Sequence, residues 1–163
     1  MAVSAAIKVA GEDTAEVQVV PFAAGRAAFF TRRAPGKASR NEDALALIPS
    51  DDGAGMLLVA DGVGGYPDGD VASRTVVESL DEAVARGTAD GAALRDCMLD
   101  GIERANRRIL EGQAGCASTV AAVCLGSSRS MSDVSGSVSA AWTSLRTHDS
   151  SATTRIFGMV PKA

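Results

Sequence analysis

Aromatic side chains are scarce in this chain, at 4% of 163 residues. The core must therefore be built from Ala, Val, Leu and Ile. Histidine is nearly absent: His148, in a polar C-terminal stretch, is the single one, which argues against a Ser-His-Asp triad. The three cysteines, Cys97, Cys116 and Cys124, form neither a zinc-type spacing nor a CxxC pair. Their odd number fits reduced thiols, so all three are expected as buried small apolar residues in a cytoplasmic protein. No run approaches the roughly 18 apolar residues that span a bilayer, so no membrane partner is expected. The start, Met1 to Lys8, lacks the basic segment and long apolar core of a secretory signal. Basic excess is missing too. Sixteen Lys and Arg face twenty Asp and Glu, for a net charge of −4, and a pI near 5.0 argues against nucleic acid as a partner. Arg32-Arg33 and the Arg104, Arg107, Arg108 group read as solvated faces.

What is present fits one domain. Hydrophobic residues make 46% of the chain and charged ones 22%, an ordinary globular balance. Residues Glu16 to Phe22 alternate as a half-buried strand does, and Arg26 to Thr31 continue in β fashion. Ala44–Ile48 and Met56–Ala60 are apolar strands joined by a hairpin turn at Pro49–Gly53. Together these predict an N-terminal antiparallel sheet. A helix is predicted over 71–85, ended by Gly87, and a second over 91–110, capped by Asp90 and stopped by Gly112. Ser118–Leu125 reads as a buried strand. The order implies α+β layers rather than alternating βαβ units.

The chemistry concentrates in Met56–Gly65, where an apolar run delivers Asp61 into a glycine-rich turn. A carboxylate at a strand end costs desolvation unless a cation or hydrogen bonds compensate. An acid beside bare backbone oxygen suits a hard cation such as Mg²⁺ or Mn²⁺. A second acidic block, Asn41-Glu42-Asp43, opens the preceding apolar run. Each block taken singly also fits a plain turn, since Asn-Glu-Asp caps turns and Asp-Gly is a common turn dipeptide. Other phosphate motifs fail. Gly62, Gly64 and Gly65 do not spell GxGxxG, and no Gly-Lys-Ser/Thr follows. An EF-hand loop needs acids at alternate positions before a central glycine.

Assembled, these residues resemble the metal-dependent Ser/Thr phosphatases of the protein phosphatase 2C family (PP2C, PPM-type). Arg40-Asn41-Glu42-Asp43-Ala44 is similar to the family's Asn-Glu-Asp-Ala block. Val59-Ala60-Asp61-Gly62-Val63-Gly64-Gly65, followed by Gly69-Asp70-Val71-Ala72-Ser73, is similar to its Ala-Asp-Gly-x-Gly-Gly and Gly-x-x-Ala-Ser run. Gly115-Cys116-Ala117-Ser118-Thr119-Val120 resembles its Gly-Thr-Thr strand. The likeness covers roughly residues 16 to 125. It implies a β-sandwich flanked by helices, a centre of two Mn²⁺ or Mg²⁺ ions, and a phosphorylated protein as substrate. By the same resemblance Asp61 would bridge the ions, the Gly62 carbonyl would lie beside it, and Asp43 would hold the cluster, with Glu42 acting through water. No side chain would serve as nucleophile, because an activated water does. Arg40 or Lys37 would hold the substrate phosphate, and the spacing does not choose between them.

The resemblance stops at Leu125. The family's Gly-Asp-Ser-Arg strand and its two later aspartate blocks have no counterpart, so the sandwich is expected to be incomplete. Residues 126–163 are rich in serine and are expected to form a poorly ordered tail. The domain is then residues 1–125, and the chain reads as a truncated or frame-shifted family member. Beside the enzyme stand two other readings: a non-catalytic phosphatase-like binding module, and a fragment without function.

Overall fold

The computed structural model describes residues 5–36, 38–50, 53–63, 68–112 and 116–126, with the backbone of 139–144 and 158–160. In chain order the elements are β1 (Ile7–Ala10), β2 (Gln18–Phe22), β3 (Gly25–Phe29), β4 (Asp43–Pro49) and β5 (Gly55–Gly62). Helices α1 (Gly69–Ala89) and α2 (Leu94–Gly112) follow, then β6 (Ser118–Leu125), β7 (Ser139–Ser144) and β8 (Gly158–Val160). This is the expected α+β class, with a β-sandwich and helices on its flank.

The expected single N-terminal sheet is in fact two. Strands β1-β4-β5-β6-β7 make a five-stranded sheet, and β2-β3-β8 a three-stranded one. The hairpin of β2 and β3 thus belongs to one layer and that of β4 and β5 to the other. β2 alternates in burial while β4 and β5 are unbroken apolar runs, but neither pattern states which strands share a sheet, and only the packing between layers separates the hairpins. Within the serine-rich stretch, the backbone of β7 pairs antiparallel with β6 and that of β8 with β3. The rest of that stretch lies outside the described residues.

The five-stranded sheet is covered on both faces, which explains the unbroken apolar runs of β4 and β5. On one face Ala44, Ala46, Ile48, Leu58 and Ala60 join Val76 and Leu80 of α1 and Met98 and Ile109 of α2 in one buried cluster. On the other face Leu45, Leu47 and Leu57 meet Phe22, Ala27 and Phe29 of the three-stranded sheet. Alternation along β4 sends even positions to the helices and odd positions to the sandwich interior. The layering therefore fixes which way each site residue of β4 and β5 faces.

Helix boundaries moved for physical reasons. Gly87 does not end α1, which runs to Ala89. A Cβ at Gly87 would run into the Cys97 thiol, so the glycine lets the two helices approach. Asp90 closes α1 rather than opening α2: its N–H donates toward the carbonyls of Arg86 and Gly87. Gly91, at φ +76°, then makes the reversal. Leu110, near the end of α2, is 73% exposed. Cys97 and Cys124 are buried free thiols and Cys116 is half-buried. Burial pushes all three thiols above their ordinary pKa, so the thiolate a nucleophile would need is disfavoured.

A two-pronged ion pair joins the helices. Arg108 Nη2 donates to Glu82 Oε2 at 2.7 Å and Nη1 to Oε1 at 3.1 Å. The hydrogen bonds from Arg108 hold the Glu82 carboxyl below its usual range. A lowered folded pKa means the contribution is complete above the unfolded carboxylate pKa. It is lost as pH falls through the folded value. Both side chains are 44% exposed, so solvent and salt screen the pair. Glu82→Gln is expected to lower Tm slightly at pH 7 and low salt. The difference should shrink as pH falls below the ordinary carboxylate range and vanish in about 1 M NaCl, which a set of thermal melts would check.

Candidate functional site

Strand pairing brings the two acidic blocks together. Asp43 opens β4 and Asp61 lies near the end of β5, and the two are direct cross-strand partners. Cβ atoms of such partners lie about 5 Å apart on one face. Odd-numbered, both sit on the sandwich-interior face with Leu45, Leu47 and Leu57. Thr119 of β6 is the next partner of Asp61, and Ser144 of β7 occupies the following register position. One row across the sheet thus reads Asp43, Asp61, Thr119, Ser144. Thr119 belongs to a block the sequence singled out, but its place beside Asp61 follows only from the β5–β6 register.

Asp43 is buried, 6% exposed, and Asp61 is half-buried. Two carboxylates side by side at the end of a strand pair concentrate negative charge. Like charges directly opposite are unfavourable. A hard cation suits such an oxygen-only set.

The backbone here is closely fitted. The Gly62 N–H donates to the Glu42 carbonyl at 3.0 Å, and the Val63 N–H to the Ala117 carbonyl at 2.9 Å. The Ser118 hydroxyl lies 3.1 Å from the Asp61 carbonyl and 2.9 Å from that of Thr119, both acceptors for its one proton. The strand end bearing Asp61 is thus held from β6 on one side and from Glu42 on the other. A Cβ on Gly62 would collide with the Gly69 carbonyl at the start of α1 and lie 2.7 Å from the Glu42 oxygen. The glycine is therefore required by close backbone approach. Among the described residues the positive-φ glycines are at 11, 36, 53 and 91, and Gly62 is not one of them.

Glu42 divides in two. Its carbonyl belongs to the site's frame. Its side chain, half-buried, lies at the start of α1, with Cγ and Cδ 3.4 Å from where a Gly69 Cβ would stand. Arg40 is exposed and directly precedes buried Asn41. Lys37, Gly64 and Gly65 lie outside the described residues. Among the described residues no three or more His, Cys, Asp or Glu side chains converge as a metal cage. A pair of carboxylates nonetheless fits Mg²⁺, which usually takes one or two carboxylates and completes its shell with water and substrate phosphate. Among the described residues no helix is long and apolar enough to cross a membrane.

Asn41 was legible only as a turn former. The Asp43 N–H does donate to its Oδ1 at 3.1 Å, the turn that Asn-Glu-Asp suggests. Its Nδ2 does more, donating to the Glu12 carbonyl at 3.0 Å and to Thr31 Oγ1 at 2.9 Å. Neither partner could be found from spacing, because both are distant in sequence.

Comparison with known proteins bears on this arrangement. The family model described as protein phosphatase 2C matches residues 33–156, a span that includes both acidic blocks and extends beyond Leu125. Among solved structures, the serine/threonine phosphatase of S. agalactiae is similar at 28% identity and a TM-score of 0.44, over 68% of this chain and 43% of that one. This chain therefore spans less than half the length of that protein. No curated protein matches.

Proposed function

Because the chain belongs to the protein phosphatase 2C family, we propose that it hydrolyses phosphoserine and phosphothreonine on proteins, using Mn²⁺ or Mg²⁺ held at Asp43 and Asp61. The observation that carries this reading is the register pairing of the two aspartates on one face. Divalent cations, when bound, lower the pKa of a shared water and offset charge on the transferring phosphoryl group. The chain's own residues do the rest. Asp43 and Asp61 offer carboxylate oxygens, and the Gly62 carbonyl offers a third donor beside them. Ser118 steadies the Asp61 backbone. Glu42 would reach the ions only through water. Arg40 or Lys37 would take the substrate phosphate, Arg with two parallel bonds and Lys as a point charge. The free thiols support a reducing compartment such as the cytoplasm.

The test is Mn²⁺-dependent hydrolysis of a phosphothreonine peptide by the purified chain and by Asp61→Asn. Activity is expected in the parent chain, lost with chelator and reduced at least about a hundredfold in the variant, the scale of losing a central electrostatic group. Hydrolysis unchanged by Asp61→Asn would sink the assignment of the site. Mn²⁺ binding that depends on Asp61 without any hydrolysis would favour the non-catalytic binding module instead.

A further inference from the structure

Asn41 is 2% exposed and Thr31 1%, and together they tie three segments to the edge of the acidic pair. Thr31 follows β3 of the three-stranded sheet. Glu12 follows β1, at the margin of the five-stranded sheet. Asn41 opens the block that carries Asp43. The amide has one consistent orientation. Nδ2 spends both hydrogens, on the Glu12 carbonyl at 3.0 Å and on Thr31 Oγ1 at 2.9 Å. Oδ1 receives the Asp43 N–H at 3.1 Å. Thr31 is itself fixed, since its N–H donates to Thr14 Oγ1 at 3.0 Å and its carbonyl accepts the Thr14 N–H at 2.8 Å.

This arrangement exceeds what a turn requires. An Asx turn needs only the side-chain oxygen. Here the amide nitrogen reaches the other way and fastens that turn to both layers of the sandwich. The Asp43 backbone is thereby held against movement along the strand and away from the opposite sheet. A carboxylate that must sit within a few tenths of an ångström of a cation gains from such support. A bare carboxylate on a fraying strand end would sample many positions, and each would weaken binding.

We propose that Asn41, supported by Thr31, is a positioning residue for the cation site, acting through the Asp43 backbone. The proposal rests on the reading of Asp43 and Asp61 as the cation-holding pair. Partners of metal ligands that do not touch the ion typically govern affinity by 10- to 100-fold.

The experiment is Mn²⁺ titration of the purified chain, followed by electron paramagnetic resonance of free Mn²⁺, with thermal unfolding measured in parallel. Asn41→Ala is expected to raise the Kd for Mn²⁺ by about tenfold or more while unfolding stays cooperative. Thr31→Val, nearly isosteric but without the hydroxyl, should weaken binding in the same direction, and Thr31→Ser should restore it. A folded Asn41→Ala that binds Mn²⁺ like the parent chain overturns the proposal. If that variant does not fold, Thr31→Val decides, and parent-like affinity there overturns it equally. Asp61→Asn separates the two levels of the argument. Binding lost in Asp61→Asn but intact in Asn41→Ala removes only the role of Asn41. Parent-chain binding that is absent, or indifferent to Asp61→Asn, removes the cation site and this proposal with it.

Discussion

Gly62→Ala is expected to damage stability and cation binding together. The added methyl would strike the Gly69 carbonyl and lie 2.5 Å from the Gly69 carbonyl carbon and 2.7 Å from the Glu42 oxygen. All of these are backbone atoms, so no rotamer change relieves the clash. Either the start of α1 lifts away or the end of β5 shifts, and the second breaks the bond from the Gly62 N–H to Glu42. Overpacking of this kind costs about 3 kcal/mol, at the upper end of the usual range. Urea unfolding would show it as a lower Cm at an unchanged m-value. Mn²⁺ affinity should fall as well, because Asp61 directly precedes the displaced residue. Gly112→Ala is the control. Nothing lies within 4 Å of a Cβ there, and alanine favours the helix, so stability should hold or rise slightly. Equal Cm for the two variants would show that the contact between α1 and β5 is not tight.

Leu58→Ala should have the largest effect in the core. Leu58 is 1% exposed and sits on the central strand, beneath the helices. Its cross-strand partners on both sides are alanines, Ala46 of β4 and Ala122 of β6. Neither can extend into the space vacated, so the cavity could shrink only if α1 sank toward the sheet. A loss of about 4 kcal/mol is expected, toward the high end for buried leucine truncation. For a chain of this size each kcal/mol shifts Tm by roughly 2–4 °C, so melting should fall by roughly 8–16 °C. Leu110→Ala, at a position 73% exposed, should stay within about 0.5 kcal/mol. A Leu58→Ala variant as stable as Leu110→Ala would mean that the helices do not seal that face.

Much of this fold could be read from residue order alone, for identifiable reasons. β6 was legible as a short apolar run, Ser118–Leu125, although in the structure its residues alternate buried and half-buried. The acidic pair was legible because Asp43 opens one apolar run and Asp61 closes the next, and a hairpin between such runs brings them close. The division of the two hairpins between sheets was not legible, since it depends on which faces pack. β1 was missed because four residues, Ile7–Ala10, carry too short a pattern. Gly87 misled because glycine serves equally as a helix stop and as a thin spot between helices, and only the nearness of Cys97 distinguishes them. Asn41 was seen as half of what it is. Its local bond to the Asp43 N–H follows from sequence, whereas its bonds to Glu12 and Thr31 exist only once both sheets are assembled.

The strand order also has a consequence for how the chain reaches its folded state. Asp43 and Asp61 lie in one hairpin, whose ends meet after closure of a short loop. Ser118, which steadies the Asp61 carbonyl, is 57 residues away, with both helices in between. Loop-closure entropy grows only slowly with length, by about 0.6 kcal/mol per doubling. Docking β6 nonetheless depends on the helical excursion being compact, and pairings so distant in sequence tend to slow folding. The carboxylate pair can therefore form early as a local unit, while its hydroxyl-bearing wall arrives with the long-range closure of the sheet.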